Sequence, residues 1–351
     1  MQQQTNKTSR TIEITTSLNG RFRLLDQRGA SMLATLITLS VLLVIVGFGA
    51  VNRQDIFDYI KLRGYTPPAE VSALASETTM NSYGRKIFYV NAPAIDSKSI
   101  FKTSCPNNGG EQSIVLGCYH GNQSGIFLLN VTDPRLGGVA EVTAAHEMLH
   151  GAYDRLSSSE KTTINAMVQS YYDTGLKDKR IKDTVDGYRK SEPKDVVNEM
   201  HSIFGTEVSD LPAPLEAYYT RYFTNRKAVV AFADKYQSEF STRQSAVEKY
   251  DAQLATLKTS ISAQEATLQS RQAAIGQSQS GLQEMRSAGQ VEAYNAGVAG
   301  FNAQVAQYNG DVATLKSTIT KYNTIVSARN AVAVEESELA SALNTNVETI
   351  K

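Results

Sequence analysis

No proline occurs after Pro214 in this 351-residue chain, and along the stretch that follows apolar side chains recur on alternating steps of four and three. Tyr236, Phe240, Val247, Tyr250, Leu254, Leu257, Ile261, Leu268, Ile275, Leu282 and Met285 form one series, interrupted by Arg243, Gln264, Arg271 and Ser278. Val291, Tyr294, Val298, Phe301, Val305, Tyr308, Val312, Leu315, Ile319, Tyr322 and Val326 form a second. A mean step of 3.5 keeps an apolar stripe facing a partner helix, so neither arm is stable alone and each needs a neighbour. Two arms of similar length, joined through Arg286-Ser287-Ala288-Gly289-Gln290, predict an antiparallel coiled-coil hairpin about 75 Å long over residues 225–351. Its expected role is a rod, or an arm that meets a protein partner or a second copy.

A second stretch is equally restrictive. Residues 30–51, ASMLATLITLSVLLVIVGFGAV, hold no charge over 22 positions. As a helix they span about 33 Å, enough for a hydrocarbon core. A cleaved signal peptide would have a shorter apolar core and a small-x-small site, which Gly47 and Gly49 supply only loosely. Residues 30–51 are therefore read as a single-pass transmembrane anchor, residues 1–29 as a disordered cytoplasmic tail and residues 52–83 as a juxtamembrane connector. Arg21, Arg23 and Arg28 precede the span, and the positive-inside rule then places the rest of the chain outside the cytoplasm.

The 35 basic and 35 acidic residues balance, so no electrostatic footprint for nucleic acid exists. Cys105 and Cys118 could be two thiols or one disulfide. Export favours the disulfide.

Between connector and hairpin, residues 84–224 carry the chemistry. Ile87-Phe88-Tyr89-Val90, Ile114-Val115-Leu116 and Ile126-Phe127-Leu128-Leu129 read as short strands of a small sheet. Residues 138–155 then read as a helix containing His146-Glu147-Met148-Leu149-His150. Positions i and i+4 share a helix face, so His146 and His150 can grip one Zn²⁺ while Glu147 projects beside them toward a water. A second helix is expected to run from Ser158, read as its N-cap, to about Tyr172, followed by a charged loop from Asp173 to Lys190. Asp154 is a candidate to orient a ligand.

The third metal ligand is sought in residues 191–208, SEPKDVVNEMHSIFGTEV, read as a helix capped by Ser191 and ended by Gly205. Val196, Glu199, Met200 and Ile203 share a face there. A carboxylate on an apolar stripe is costly to bury unless something compensates it, and a dication would. Glu199 is thus the leading candidate. His201, about 200° around the helix, and Glu192 and Glu207 compete with it.

His146-Glu147-x-x-His150 with Asn198-Glu199 downstream resembles the zincin metallopeptidases of the gluzincin group, of which thermolysin is the familiar member. The likeness covers about 35 residues. It is similar also to membrane-anchored bacterial proteins assigned as peptidases. The resemblance implies an α+β zincin-like catalytic domain, Zn²⁺ held by His146, His150 and Glu199, and Glu147 as general base for hydrolysis of a peptide or protein by a metal-bound water. Ile203 stands where thermolysin-like enzymes carry an acidic residue, so the group orienting His146 must come from elsewhere, with Asp195, Asp154 or a backbone carbonyl as candidates. An oxyanion donor is sought among Tyr218, Tyr219, Tyr222, Arg221 and His201. The reading from another class is a non-catalytic envelope scaffold acting through its hairpin. In that reading the metal is structural and closed by His120 or His201.

Overall fold

The computed structural model describes residues 22–106 and 115–345. The tail before Phe22, Ile114 and the last six residues lie outside the described residues. The chain divides into two compact units, one ending at Thr66 and the other beginning at Pro67. The first unit consists of α1 (Phe22–Val51) and α2 (Arg53–Leu62). Ala34–Val51 is long and apolar enough to cross a membrane, and none of that window is buried. The expected disordered tail is cut short, because α1 already begins at Phe22. No proline lies between Phe22 and the apolar stretch, and nothing else there stops a helix from propagating backwards.

The second unit is mainly helical around a small sheet. Its elements are α3 (Ala69–Glu77), α4 (Ser82–Val90), β1 (Ala94–Asp96), α5 (Lys98–Ser104), β2 (Gly117–His120), β3 (Gly125–Leu129), α6 (Val139–Asp154) and α7 (Ser158–Thr174). They continue with α8 (Lys179–Ser191), α9 (Val196–Glu207), α10 (Ala213–Tyr219), α11 (Arg226–Ser287) and α12 (Val291–Leu343). β3 is central, parallel to β1 and antiparallel to β2, so β2 is an edge strand. Cys105 and Cys118 form a disulfide that ties the end of α5 to β2.

Several expected elements are corrected. Ile87-Phe88-Tyr89-Val90 is not a strand but the end of α4. Asn81 caps that helix by accepting from the N–H groups of Tyr83 and Gly84, and Gly84, Ile87 and Phe88 form its buried face. Val115 and Leu116 lie outside the strands, and the strand falls on Gly117–His120. The α7 cap is Ser157 rather than Ser158, in a reciprocal capping box with Glu160. The stretch read as a charged loop holds α8, capped by Asp178 and buried through Ile181 and Val185. Part of the expected connector belongs to the core, where Val71, Leu74 and Ala75 pack with Met148 and Leu149.

The hairpin is present, and its first helix is continuous with the core. Val229, Val230 and Ala233 at the start of α11 are buried, and α11 packs on both α6 and α9. Four polar residues interrupt the apolar series of α11, and each meets a partner on α12. Arg243 pairs with Glu335 at 3.2 Å and Arg271 with Asp311 at 2.5 Å. Gln264 donates to Thr318 and Ser278 to Gln304. Gln264, Arg271 and Ser278, seven apart on one arm, meet Thr318, Asp311 and Gln304, seven apart on the other, so one register satisfies these three pairs and any slip strands them. Leu339 and Leu343 at the end of α12 pack on Leu136 and on Val139 of α6, which fastens the hairpin base to the helix carrying the histidines.

Candidate metal centre

Helix α6 is apolar almost all round, with Val142, Ala144, Ala145, Met148, Leu149 and Ala152 buried. Four of its polar side chains, His146, Glu147, His150 and Asp154, face a cleft. Helix α9 packs across it, and Gly205 makes the approach possible. A methyl group at 205 would overlap Leu149 Cδ1 and lie 2.8 Å from Tyr219 Cε1. Gly205 thus sits inside α9, which continues to Glu207 instead of ending there. Ser191 closes α8 rather than capping α9, and residues 193–195 form a turn between the two helices.

This packing brings together the three expected ligands from two helices far apart in sequence. Glu199 Oε2 lies 3.4 Å from His146 Nε2, and Oε1 lies 3.4 Å from His150 Nε2. The imidazole rings stand 4.8 Å apart at 71°. Donors held about 2.0–2.1 Å from one tetrahedral ion are separated from each other by about 3.3–3.4 Å, and the observed spacing fits that geometry. Among the described residues, no fourth histidine, cysteine or carboxylate joins the group. His201 is turned away, with Nε2 2.9 Å from Tyr218 Oη, and His120 packs its ring on Phe127. The arrangement can hold one divalent cation and leave a coordination position open.

Glu199 is buried. Burial pushes its carboxyl up, but the imidazoles of His150 and His146, with hydrogen bonds from His146 and Tyr188, outweigh this and hold it below the usual range. Tyr188, on α8, was invisible to sequence reasoning because its helix was read as loop. The signal was the 4/3 spacing of Ile181, Val185 and Tyr188. Ser202 is the other missed residue. Its Oγ lies 3.4 Å from His150 Nδ1, one turn beyond Glu199. Asp154 does not orient His146. It accepts from Tyr119 Oη at 2.8 Å and from the Asn122 N–H at 3.2 Å, tying the end of α6 to β2 and the turn that follows it.

The residues expected to supply an oxyanion donor are placed behind α9. Tyr218 Oη bonds His201 and Tyr222, and Tyr219 donates to the His201 carbonyl at 2.6 Å. Complete burial pushes the His201 imidazole down to about 3, with His150 and His146 adding to the effect, so it stays neutral. Arg221 pairs with Glu160. The tyrosines that do line the cleft are Tyr119 and Tyr188.

The cleft has a volume of about 350 Å³. One wall is β2 with Gly117, Cys118 and Tyr119, the floor is His146, Glu147, His150 and Asp154, and the other wall runs from Tyr188 to Glu199. Gly117 touches the floor, since a Cβ there would lie 2.7 Å from Glu147 Oε1. No protein-family profile, curated protein or solved structure matches the chain.

Proposed function

We propose that the protein is a membrane-anchored zinc metallopeptidase of gluzincin type, its catalytic unit outside the cytoplasm. The observation that carries this reading is the convergence of His146, His150 and Glu199 at ligand spacing with Glu147 beside them in an open cleft. Zn²⁺ bound there supplies Lewis acidity toward a peptide carbonyl and an attacking water. Glu147 accepts the proton of that water and delivers it to the leaving amine. Among the described residues no strand pairs with the outer edge of β2, whose backbone N–H and C=O groups could receive an extended substrate as an added strand along the cleft. Ser202 holds His150, and Tyr188 holds Glu199, in the ligating orientation. The apolar α1 window supports the anchor, and the Cys105–Cys118 disulfide supports an oxidising compartment.

The test is Glu147→Gln. Zinc content should stay at that of the wild type while hydrolysis of a mixed peptide library falls by about 10²–10⁴-fold. A wild-type chain that holds zinc and cleaves nothing would leave the envelope scaffold, with the hairpin as its working part, as the better account.

A further inference from the structure

The proposed chemistry leaves the hairpin without a role, yet its base is built against both helices that carry the ligands. Arg226, the first residue of α11, is buried, and all five of its N–H donors are used. Nη1 donates to the carbonyls of Phe204 at 3.2 Å and Val208 at 2.6 Å, and Nη2 to that of Ser209 at 2.9 Å. Nε and Nη2 hold the Glu216 carboxylate at 3.1 Å and 2.6 Å. Phe204 and Val208 lie at the C-terminal end of α9, where helix carbonyls lack intrahelical partners and the helix dipole favours a cation. A rigid guanidinium that meets these carbonyls together fits one placement of α9 along its axis, and a slide of the helix breaks several bonds at once.

Six residues further along, α11 meets the start of α6. Gly138, the N-cap of α6, adopts φ +111°, and a Cβ there would lie 2.5 Å from the Phe232 carbonyl oxygen. About 9 Å of helix therefore separates the grip on α9 from the contact with α6. The end of α12 closes the frame. Leu339 and Leu343 pack with Val139 of α6, and Lys98 donates to the carbonyls of Ser341 at 2.6 Å and Asn344 at 3.2 Å. His146 and His150 ride on α6 and Glu199 on α9, so whatever fixes these two helices against each other fixes the ligand spacing.

We infer that the base of the hairpin is a brace for the metal centre, with Arg226 the positioning residue that holds Glu199 against the two histidines through the end of α9. The inference rests on the metal-centre reading of the site and gives the hairpin a part in it. Metal ligands bind tightly only while their supports hold them in place, so a brace at the far end of a ligand helix is felt at the ion.

The test uses the full-length chain in detergent, with Zn²⁺ or Co²⁺ alone as the probe. Arg226→Met should weaken Zn²⁺ binding by about tenfold in competition with a chromophoric chelator, and should lower the visible absorption of Co²⁺ in the site. Arg226→Lys should recover part of that loss, because an ammonium still meets the α9 carbonyls. Leu339→Ala releases the α12 end of the frame. It should also weaken Zn²⁺ binding, and it carries the test if Arg226→Met does not fold. Arg329→Met breaks an ion pair with Asp251 further out along the hairpin and should leave Zn²⁺ affinity and the Co²⁺ spectrum at their wild-type values. A folded Arg226→Met that melts lower but keeps both readouts overturns the inference, as does an equal loss in Arg329→Met. If the wild-type chain binds neither metal, the metal-centre reading fails by itself, and hydrogen exchange of the metal-free chain then decides the brace. The α9 amides should exchange about tenfold faster in Arg226→Met while those of α5 keep the wild-type rate, and unchanged α9 exchange overturns the brace.

Discussion

Gly117→Ala probes the contact between the edge strand and the proposed general base. A Cβ at 117 would lie 2.5 Å from Thr143 Cγ2, 2.7 Å from Glu147 Oε1 and 2.9 Å from Glu147 Cγ, whereas ordinary contact begins near 3.4 Å. Thr143 is pinned by its hydrogen bond to the Val139 carbonyl at 2.8 Å. The Glu147 carboxylate must therefore swing away by about 0.5–0.7 Å, or β2 must lift off α6 by a similar amount. Displacing a reacting group by close to 1 Å costs about 10²-fold in rate, and overpacking costs about 1–3 kcal/mol in stability. None of the clashing atoms belongs to His146, His150 or Glu199, so metal stoichiometry should stay at the wild-type value. The expected triple result is zinc retained, melting temperature lowered by a few degrees, and kcat on the peptide library down by about 100-fold. A variant that keeps zinc and turns over within about twofold of wild type would refute the reasoning, since Glu147 could not then be the group whose position limits the reaction.

Removing Ser202 Oγ with Ser202→Ala should weaken metal affinity by about tenfold, read by competition with a chromophoric chelator, because His150 loses its orienting partner. Asp311→Ala leaves Arg271 unpaired in the hairpin seam and should lower the helical unfolding transition by the equivalent of about 1 kcal/mol, followed by circular dichroism. Replacing Arg271 and Asp311 together by leucine should restore that transition. The Glu160 carboxyl is held below its ordinary value by the Ser157 N–H, then by the Ser157 hydroxyl and Arg221. That depressed value means its stabilisation is complete above the unfolded carboxyl's pKa and disappears as pH falls through the folded one. Wild type should therefore outlast Glu160→Gln in thermal melts at neutral pH, and the gap should close in acid.

Four features were legible because each rests on periodicity or on a local motif. The 3.5-residue repeat dictated two long paired helices, and the uncharged run of residues 30–51 dictated an apolar helix. The i, i+4 histidines dictated one shared face, and Glu199 stood out as a carboxylate on an apolar stripe. Short apolar runs carried no such information. Ile87-Phe88-Tyr89-Val90 suits a strand or a helix, and the Asn81 cap and burial against α6 decided for the helix. The polar composition of α8 hid Ile181, Val185 and Tyr188, so a residue that holds Glu199 was read as loop. Sequence spacing likewise put Tyr218, Tyr219 and Tyr222 near the chemistry, whereas the fold stacks them behind α9 on His201. Only tertiary packing could set these distances. The approach of α9 to α6 depends on the absence of a side chain at Gly205, which faces Leu149, 56 positions away in sequence, and Tyr219. Likewise, Gln264, Arg271 and Ser278 break the apolar pattern when read along one arm, and only the folded hairpin shows that each is answered by a polar group on the other. A hydrogen bond or ion pair depends on both partners, and sequence order supplies only one at a time.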